Sequence, residues 1–280
     1  MTMMIRDEAV NIRSNLPLWK EFIDYFIFLI DERTVDDTEE AIKEILEESQ
    51  TPFQTISYEF EGFGPARTLS LQYAWQYYSQ ASHVWIADPD WKPELSTMNK
   101  KDLDLVNDAF RFLIYDRNGI TTRRCDWLLR HRQGLAMRYH LHEVLDIGET
   151  YSPIPIKWVV REIEQPGSWH TTVGHGHSMS AARYKFDLEM LEKDKKLYGH
   201  DPHTHHYLGI THQAYAEELF KSNGRKMTTE IRYHFNESVT YFTKRITELY
   251  DPEFLEERWA CMYSLAGMYA QYLVCHSSAS

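Results

Sequence analysis

Carboxylates that follow short apolar runs are the residues of this chain best placed to do chemistry. Asp88 and Asp90 stand two apart after the run His83 to Ala87, and Asp31, Asp36 and Asp37 follow the continuous apolar run Tyr25 to Ile30. Two carboxylates at that spacing, presented from a strand end, offer hard oxygen ligands to Mg²⁺ or Mn²⁺, and the cation in turn neutralises a diphosphate. The overall charge makes such a device necessary for an anionic ligand. Lys and Arg number 30 against 42 Asp and Glu, a net charge of −12 with a pI near 5.6. Nucleic acid needs a basic face, so this balance predicts no nucleic-acid partner.

These carboxylates need a scaffold to bring them together. Thr2 to Ile5 is a short apolar start, and Leu16 to Tyr25 has helical spacing. Tyr25 to Ile30 has the unbroken apolar character of a strand buried on both faces. Thr38 to Glu48 (TEEAIKEILEE) reads as a helix, with acidic residues in its first turn and Ile42, Ile45 and Leu46 on one face. Phe53 to Phe60 is strand-like, Ala66 to Ala81 helix-like, and His83 to Ala87 another short strand. Alternating strands and helices with short connections predict an α/β domain, a doubly wound and mostly parallel sheet with helices on both faces. Ligands of such sheets bind beyond the carboxyl ends of the strands. Asp31 to Thr38, Gly62 to Arg67 and Ala87 to Asp90 all fall at that edge.

The last hundred residues change character. From Ser178 onward helical spacing dominates, and four helices can be drawn: Ser178 to Tyr198, Pro202 to Asn223, Thr228 to Tyr250 and Pro252 to Cys275. Asp201-Pro202 and Asp251-Pro252 each read as an N-cap followed by proline in the first turn. Their spacing of 50 residues, with Gly209, Ala214, Ala266 and Gly267 inside the helices, predicts two copies of a helical hairpin. The segment DPHTHHYLGITHQAYAE resembles the opening of a tetratricopeptide repeat. Two domains follow, residues 1–177 and 178–280, and two hairpins alone are too few to be stable without a partner surface.

Taken together, the motifs resemble family 2 glycosyltransferases of the GT-A fold. Met4-Ile5-Arg6-Asp7-Glu8 is similar to their "MIVKNE" opening, and Asp31…Asp36-Asp37-Thr38 to their "VD-x-x-S-x-D-x-T" segment. Phe63-Gly64-Pro65-Ala66-Arg67 is similar to "FGxAR", and Trp85-Ile86-Ala87-Asp88-Pro89-Asp90 to the "WxxxDAD" metal motif. Arg138 to Leu145 is similar to the "RYxxxVHExL" segment of the branch with a helical-repeat tail. Arg33, Asp37, Thr68 and Pro89 depart from the pattern. The resemblance implies an inverting, metal-dependent transfer of a sugar, xylose among the possibilities, from a UDP-sugar to a hydroxyl of a glycan acceptor. It implies Arg6, Glu8, Asp31, Asp36, Arg67 and Asp88 on the nucleotide, and Mn²⁺ or Mg²⁺ on Asp88 and Asp90. Glu143 becomes the general base, with Asp146 and His142 next in line, and His175 or His177 completes the metal shell. Two other classes share some features: a metal-dependent nucleotidyltransferase, and a non-catalytic repeat scaffold. The first lacks a Gly-rich basic loop near the N-terminus, and the second would not need the carboxylates.

Other residues read more plainly. Glu143 alternatively pairs with Arg138 or caps a turn. His203, His205, His206 and His212 are expected on an exposed repeat surface, and His170, with Trp158 and Trp169, near the loop between the domains. Arg123, Arg124, Arg130 and Arg132 form either an acceptor patch or a solvated strand face. Cys125, Cys261 and Cys275 are odd in number and far apart, which fits a reducing compartment. The opening MTMMIRDEAV runs into charge at once, and no apolar run reaches membrane-spanning length, so a soluble cytoplasmic protein is expected, with a homodimer through the helical tail.

Overall fold

The structure is a computed structural model that describes residues 1–93, 100–103, 106–115, 121–146, 160–170, 180–252 and 254–277. The chain divides into two compact units, Met1–Arg138 with Glu143–His177, and Tyr139–His142 with Ser178–Ser280.

In the first unit β1 (Thr2–Ile5), β2 (Phe26–Asp31) and β3 (Phe53–Tyr58) run parallel in the order β1-β2-β3. Between them lie α1 (Ala9–Trp19) and α2 (Thr38–Glu48), and α3 (Phe63–Tyr78) leads to β4 (His83–Trp85). Every residue of β2 is buried. Its alternation sorts the core: Phe26, Phe28 and Ile30 pack with Ile12, Leu16 and Trp19 of α1 and Ile42 and Leu46 of α2, while Ile27 meets Leu71 and Ala74 of α3. Helices therefore cover both faces of the parallel strands. A bridge between Thr2 and Ile86 carries the residues after β4 alongside β1.

A second sheet is mixed, which corrects the mostly parallel expectation. Five strands take the order β4-β7-β6-β10-β5, from β5 (Trp91–Pro93), β6 (Ala109–Tyr115), β7 (Thr121–Arg130) and β10 (Val160–His170). Only β6 and β10 are parallel; β4–β7, β6–β7 and β5–β10 are antiparallel. A short hairpin of β8 (Ala136–Arg138) and β9 (Val144–Asp146) completes the unit. The expected helix Leu16 to Tyr25 is also shifted, since α1 starts at Ala9. The cause is tertiary, because Asp36, from the loop after β2, accepts the Ala9 backbone N–H and so caps α1 from outside its own sequence.

The second unit is helical: α4 (Ala181–Tyr198), α5 (Pro202–Ser222), α6 (Thr229–Thr247) and α7 (Leu255–Ser277). Ser180, Asp201 and Thr228 cap the first three with side-chain oxygens. Helix α7 begins at Leu255, three residues beyond Pro252, so Pro252 does not take its first position. Helix α5 packs on α4, α6 and α7. At its crossing with α6, Gly209 is fixed by packing, because a Cβ there would stand 2.5 Å from the Phe242 ring.

Because α5 is central, its histidines are buried, contrary to the exposed repeat face expected from their polarity. Each finds a partner. His203 Nδ1 meets Glu257 Oε1 at 2.6 Å and its Nε2 meets the His142 carbonyl at 2.9 Å. His205 Nδ1 bonds to the Asp201 carbonyl, His206 Nδ1 approaches Cys261 Sγ at 3.1 Å, and His212 and His234 share a hydrogen bond at 2.8 Å. Burial pushes the Cys261 thiol up to about 12, so it is an inert packing group.

Burial, reinforced by neighbouring histidines, lowers His142 to about 3 and His206 and His212 to about 4, from an ordinary 6.5; burial also lowers His205 and His234. The unfolded chain then binds more protons than the folded one between those values, so stability rises with pH there. The stabilisation is complete above the unfolded value and is lost as pH falls from 6.5 towards 4. Glu8, whose carboxyl is pushed up to about 7, titrates in the same interval with the opposite sign, so thermal melts of Glu8→Gln followed by circular dichroism at pH 7.0, 6.5, 6.0 and 5.5 should show the melting temperature falling over this interval. A flat profile would show that these rings are not buried and neutral.

Candidate functional site at the carboxyl edge of the parallel strands

The loops after β1, β2 and β4 meet at one edge of the first unit. After β4 the chain turns at Asp88-Pro89-Asp90-Trp91, with the Trp91 N–H donating to the Asp88 carbonyl at 3.1 Å. Pro89 therefore occupies the second position of a β-turn, where its fixed φ is favourable, which accounts for this departure from the family pattern. Asn15, buried on α1, donates its side-chain amide to the Pro89 carbonyl at 2.9 Å, and Trp19 Nε1 donates to the Trp91 carbonyl at 3.1 Å. Helix α1 thus clamps the turn that carries both carboxylates, and Asp90 is buried.

The loop after β2 is stitched to the start of α1. Asp36 Oδ2 accepts from Ala9 N, and its Oδ1 accepts from the amide and hydroxyl of Thr38 at 3.1 and 2.5 Å. Thr38 Oγ1 in turn accepts from Glu8 N at 2.8 Å, and Asp7 Oδ1 accepts from Val35 N at 2.7 Å. Asp7 takes a left-handed φ of 51° to do this. Both Asp36 oxygens are committed to loop geometry. Asp31, at the end of β2, is held by Arg33 through the backbone N–H, Nε and Nη2 at 2.9, 2.9 and 2.5 Å. Burial alone would raise the Asp31 carboxyl, but the Arg33 fork outweighs it and holds it below its usual range. Arg6 lies one residue past β1 with its side chain half in solvent.

Glu8 reports the field of this edge. Burial, followed by the charges of Asp90, Asp88 and Asp36 and opposed by a 2.5 Å hydrogen bond from Asn11, pushes its carboxyl up to about 7. The carboxylates of three separate loops therefore sense one another.

Arg67 supplies the opposing charge. Its side chain is 4% exposed, on the first turns of α3. Nη2 donates to Asp88 Oδ1 at 2.7 Å, Nε donates to Glu143 Oε1 at 2.5 Å, and the guanidinium lies 4.2 Å from the centre of the Trp127 ring. Burial by itself would lower the guanidinium, but Asp88 and Glu143 raise it further. Glu143, 9% exposed, immediately precedes β9. The hairpin is fixed to α3 one residue from Arg67, because Thr68 Oγ1 accepts from Met137 N at 2.8 Å. The alternative Arg138 partner expected for Glu143 is replaced by Arg67.

The edge therefore gathers Glu8, Asp36, Asp88 and Asp90, and Arg67 links Asp88 to Glu143. His175, His177 and Trp158 lie outside the described residues, and His170 and Trp169 are described only by their place in β10. Arg130 and Arg132 converge on buried Asp108, not on a shared open patch. Asn15, Thr38, Arg33 and Trp127 had not been singled out as site residues. Asn15 carried a signal in the sequence, since with Asn11 it is a polar residue among the apolar ones of α1. Among the described residues, no group of three or more His, Cys, Asp or Glu side chains is arranged to hold a metal ion.

No family model matches the chain, and no curated protein does. Among solved structures it is similar to the mannosyltransferase PcManGT from Pyrobaculum calidifontis in complex with GDP-Man and Mn²⁺. That likeness has a TM-score of 0.42 at 10% identity and covers 97% of this chain and 79% of that one. A likeness of this degree assigns neither family nor activity. Among the described residues, no helix is long and apolar enough to cross a membrane.

Replacing Arg67 with Met keeps its aliphatic bulk but leaves the buried Glu143 carboxylate without its counter-ion. Removing one partner of a buried ion pair costs roughly 3–5 kcal/mol. Urea unfolding of Arg67→Met should show a loss of that size, with Arg67→Lys intermediate because an ammonium cannot reproduce the fork. A loss below about 1 kcal/mol, the range of exposed pairs, would mean that the triad is solvated.

Proposed function

We propose that this chain is an inverting glycosyltransferase that moves a sugar, xylose among the candidates, from a UDP-sugar to a hydroxyl of a glycan. The reading is carried by one observation: the turn Asp88-Pro89-Asp90 is joined through Arg67 to Glu143, beside Glu8, at the carboxyl edge of a parallel sheet. That edge is where open α/β sheets bind ligands.

Mn²⁺ or Mg²⁺ is assigned to Asp88 and Asp90. The donor set is chemically suitable, since it consists of carboxylate oxygens, which are hard ligands for these cations. His175 and His177 are proposed to complete the shell. A bound cation supplies charge neutralisation to the departing diphosphate. On the donor side, Asp31 is assigned to the base or ribose, Arg6 and Glu8 to the nucleotide, and Asp36 to holding the loop between them. Arg67, committed to two carboxylates, acts on the nucleotide through its hold on Asp88.

Glu143 is assigned as general base. Its Oε1 is fixed by Arg67, which leaves Oε2 to accept the acceptor hydroxyl proton. As that oxygen attacks the anomeric carbon, the bond to the diphosphate breaks on the opposite face, and configuration inverts. Asp90→Ala should abolish Mn²⁺-dependent UDP binding in calorimetry while leaving the circular dichroism spectrum unchanged. Glu143→Gln should lower turnover by about 10² to 10⁴ with donor affinity nearly constant. Unaltered UDP affinity in the first variant refutes the metal assignment, and near-normal turnover in the second refutes the base.

The helical unit is proposed to be a tetratricopeptide-like tail that forms a homodimer. Trp259 and Tyr263, one turn apart on α7, are 70% and 84% exposed, with Met262 beside them. Large apolar side chains grouped in this way mark interaction surfaces. Sedimentation velocity should give a dimer, converted to monomer by Trp259→Glu with Tyr263→Glu. A monomeric parent chain would remove this role.

A further inference from the structure

Asp31 ends β2 at the carboxyl edge, yet its carboxylate is out of a ligand's reach. The side chain is 3% exposed. Oδ1 accepts from the Arg33 backbone N–H and from Nε, both at 2.9 Å, and Oδ2 accepts from Nη2 at 2.5 Å. What this position offers to a ligand is therefore the guanidinium that covers the carboxylate. The Arg33 side chain is 52% exposed.

That guanidinium is held in place from several sides. Its turn is closed by the Thr34 N–H, which donates to the Asp31 carbonyl at 2.9 Å, and is tied to β3 by the Glu32 N–H, which donates to the Tyr58 carbonyl at 3.0 Å. The guanidinium carbon lies 5.5 Å from the centre of the Phe60 ring, which packs edge-on against Phe63 at the start of α3. A guanidinium has five N–H donors, and the bond to Asp31 uses only the one on Nε and one of the two on Nη2. Both hydrogens of Nη1 and the second of Nη2 remain. Among the described residues, none accepts from Nη1. The free edge is thus a pair of parallel donors at a fixed position.

Arg6 and Glu59 also act electrostatically on this pair, the first a second cation and the second an exposed carboxylate, so the position keeps its cationic character. A donor edge selects acceptors. Uracil and cytosine differ at one exocyclic group, where uracil carries the acceptor O4 and cytosine the N4 amine, a donor. The guanidinium edge bonds O4, but against the N4 amine it stands donor to donor and both are left without a partner. A bare carboxylate at the same place has the opposite preference, since it can only accept. We infer that Arg33 selects the base of the donor nucleotide, uracil over cytosine, by donating from its free edge to the O4 carbonyl. The inference rests on the nucleotide-sugar reading proposed above and names the residue that sets its base. Asp31 serves the base side through Arg33, as a positioning residue.

The test is calorimetry on the full chain in saturating Mn²⁺ with UDP and with CDP, which share ribose and diphosphate, so that their difference reports the base alone. UDP should bind about tenfold more tightly or better, the scale of one charge-assisted hydrogen bond. Arg33→Ala removes the donor edge and uncovers Asp31, so the preference should vanish or invert, with the circular dichroism spectrum unchanged. Arg33→Lys retains a donating cation and should keep part of the preference. Equal affinity for UDP and CDP in the parent chain, or a preference that survives Arg33→Ala, would overturn the proposal. So would an equal loss of affinity for both nucleotides in Arg33→Ala, because that marks a purely structural role. Binding of neither nucleotide by the parent chain removes the nucleotide-sugar reading and this inference with it, whereas equal binding of both removes the inference alone and leaves Mn²⁺-dependent nucleotide binding standing.

Discussion

A guanidinium taken out of water must find its compensation inside the protein, and in this chain the buried Arg67 finds it in two carboxylates from distant parts of the sequence. Asp88 lies 21 residues away and Glu143 lies 76 away. Satisfying Arg67 therefore fixes the turn after β4 and the β8–β9 hairpin with respect to α3. The stacking of the guanidinium on Trp127 adds β7 to the same assembly. Such a pair contributes little net stability relative to a well-packed apolar core, but it specifies one arrangement, because any other leaves a bare buried charge.

The remaining carboxylates lie in the field that Arg67 only partly cancels. Asp36 is spent on capping α1, and Asp31 is neutralised locally by Arg33. Glu8 lies among them, and its carboxyl is raised first by burial and further by the charges of Asp90, Asp88 and Asp36. If the edge takes up a nucleotide diphosphate through a cation, as proposed, the positive charge of Arg67 would serve to hold the carboxylates in place behind the ligand.

The parallel half of the fold was legible in the sequence because its signals are local. The apolar run before Asp31 can only be a doubly buried strand, and TEEAIKEILEE has one apolar face and an acidic first turn. The mixed half was not legible, because its short strands pair antiparallel or across long separations, as β6 with β10 do. The position of α1 depended on a cap supplied by Asp36, which no helix-local rule reveals. The histidines of α5 misled for a related reason. Their polarity reads as exposure, whereas a central helix buries them once each ring has a partner. In the site, Asp88, Asp90 and Glu143 could be picked out from spacing and resemblance. Their connection through Arg67 could not, since an ion pair over 76 residues leaves no mark in either segment alone.

The central claim is that the edge formed by Glu8, Asp88 and Asp90 takes up a divalent cation together with a nucleotide diphosphate. Electron paramagnetic resonance titration of Mn²⁺ into the full chain, with and without UDP, tests it most directly. Two carboxylates on one turn leave coordination positions for phosphate oxygens and water, so UDP should tighten Mn²⁺ uptake by about tenfold or more, equivalent to roughly 1.4 kcal/mol. Stoichiometric Mn²⁺ binding that strengthens on addition of UDP is the predicted result. No Mn²⁺ uptake, or uptake of equal affinity with and without UDP, would contradict the account.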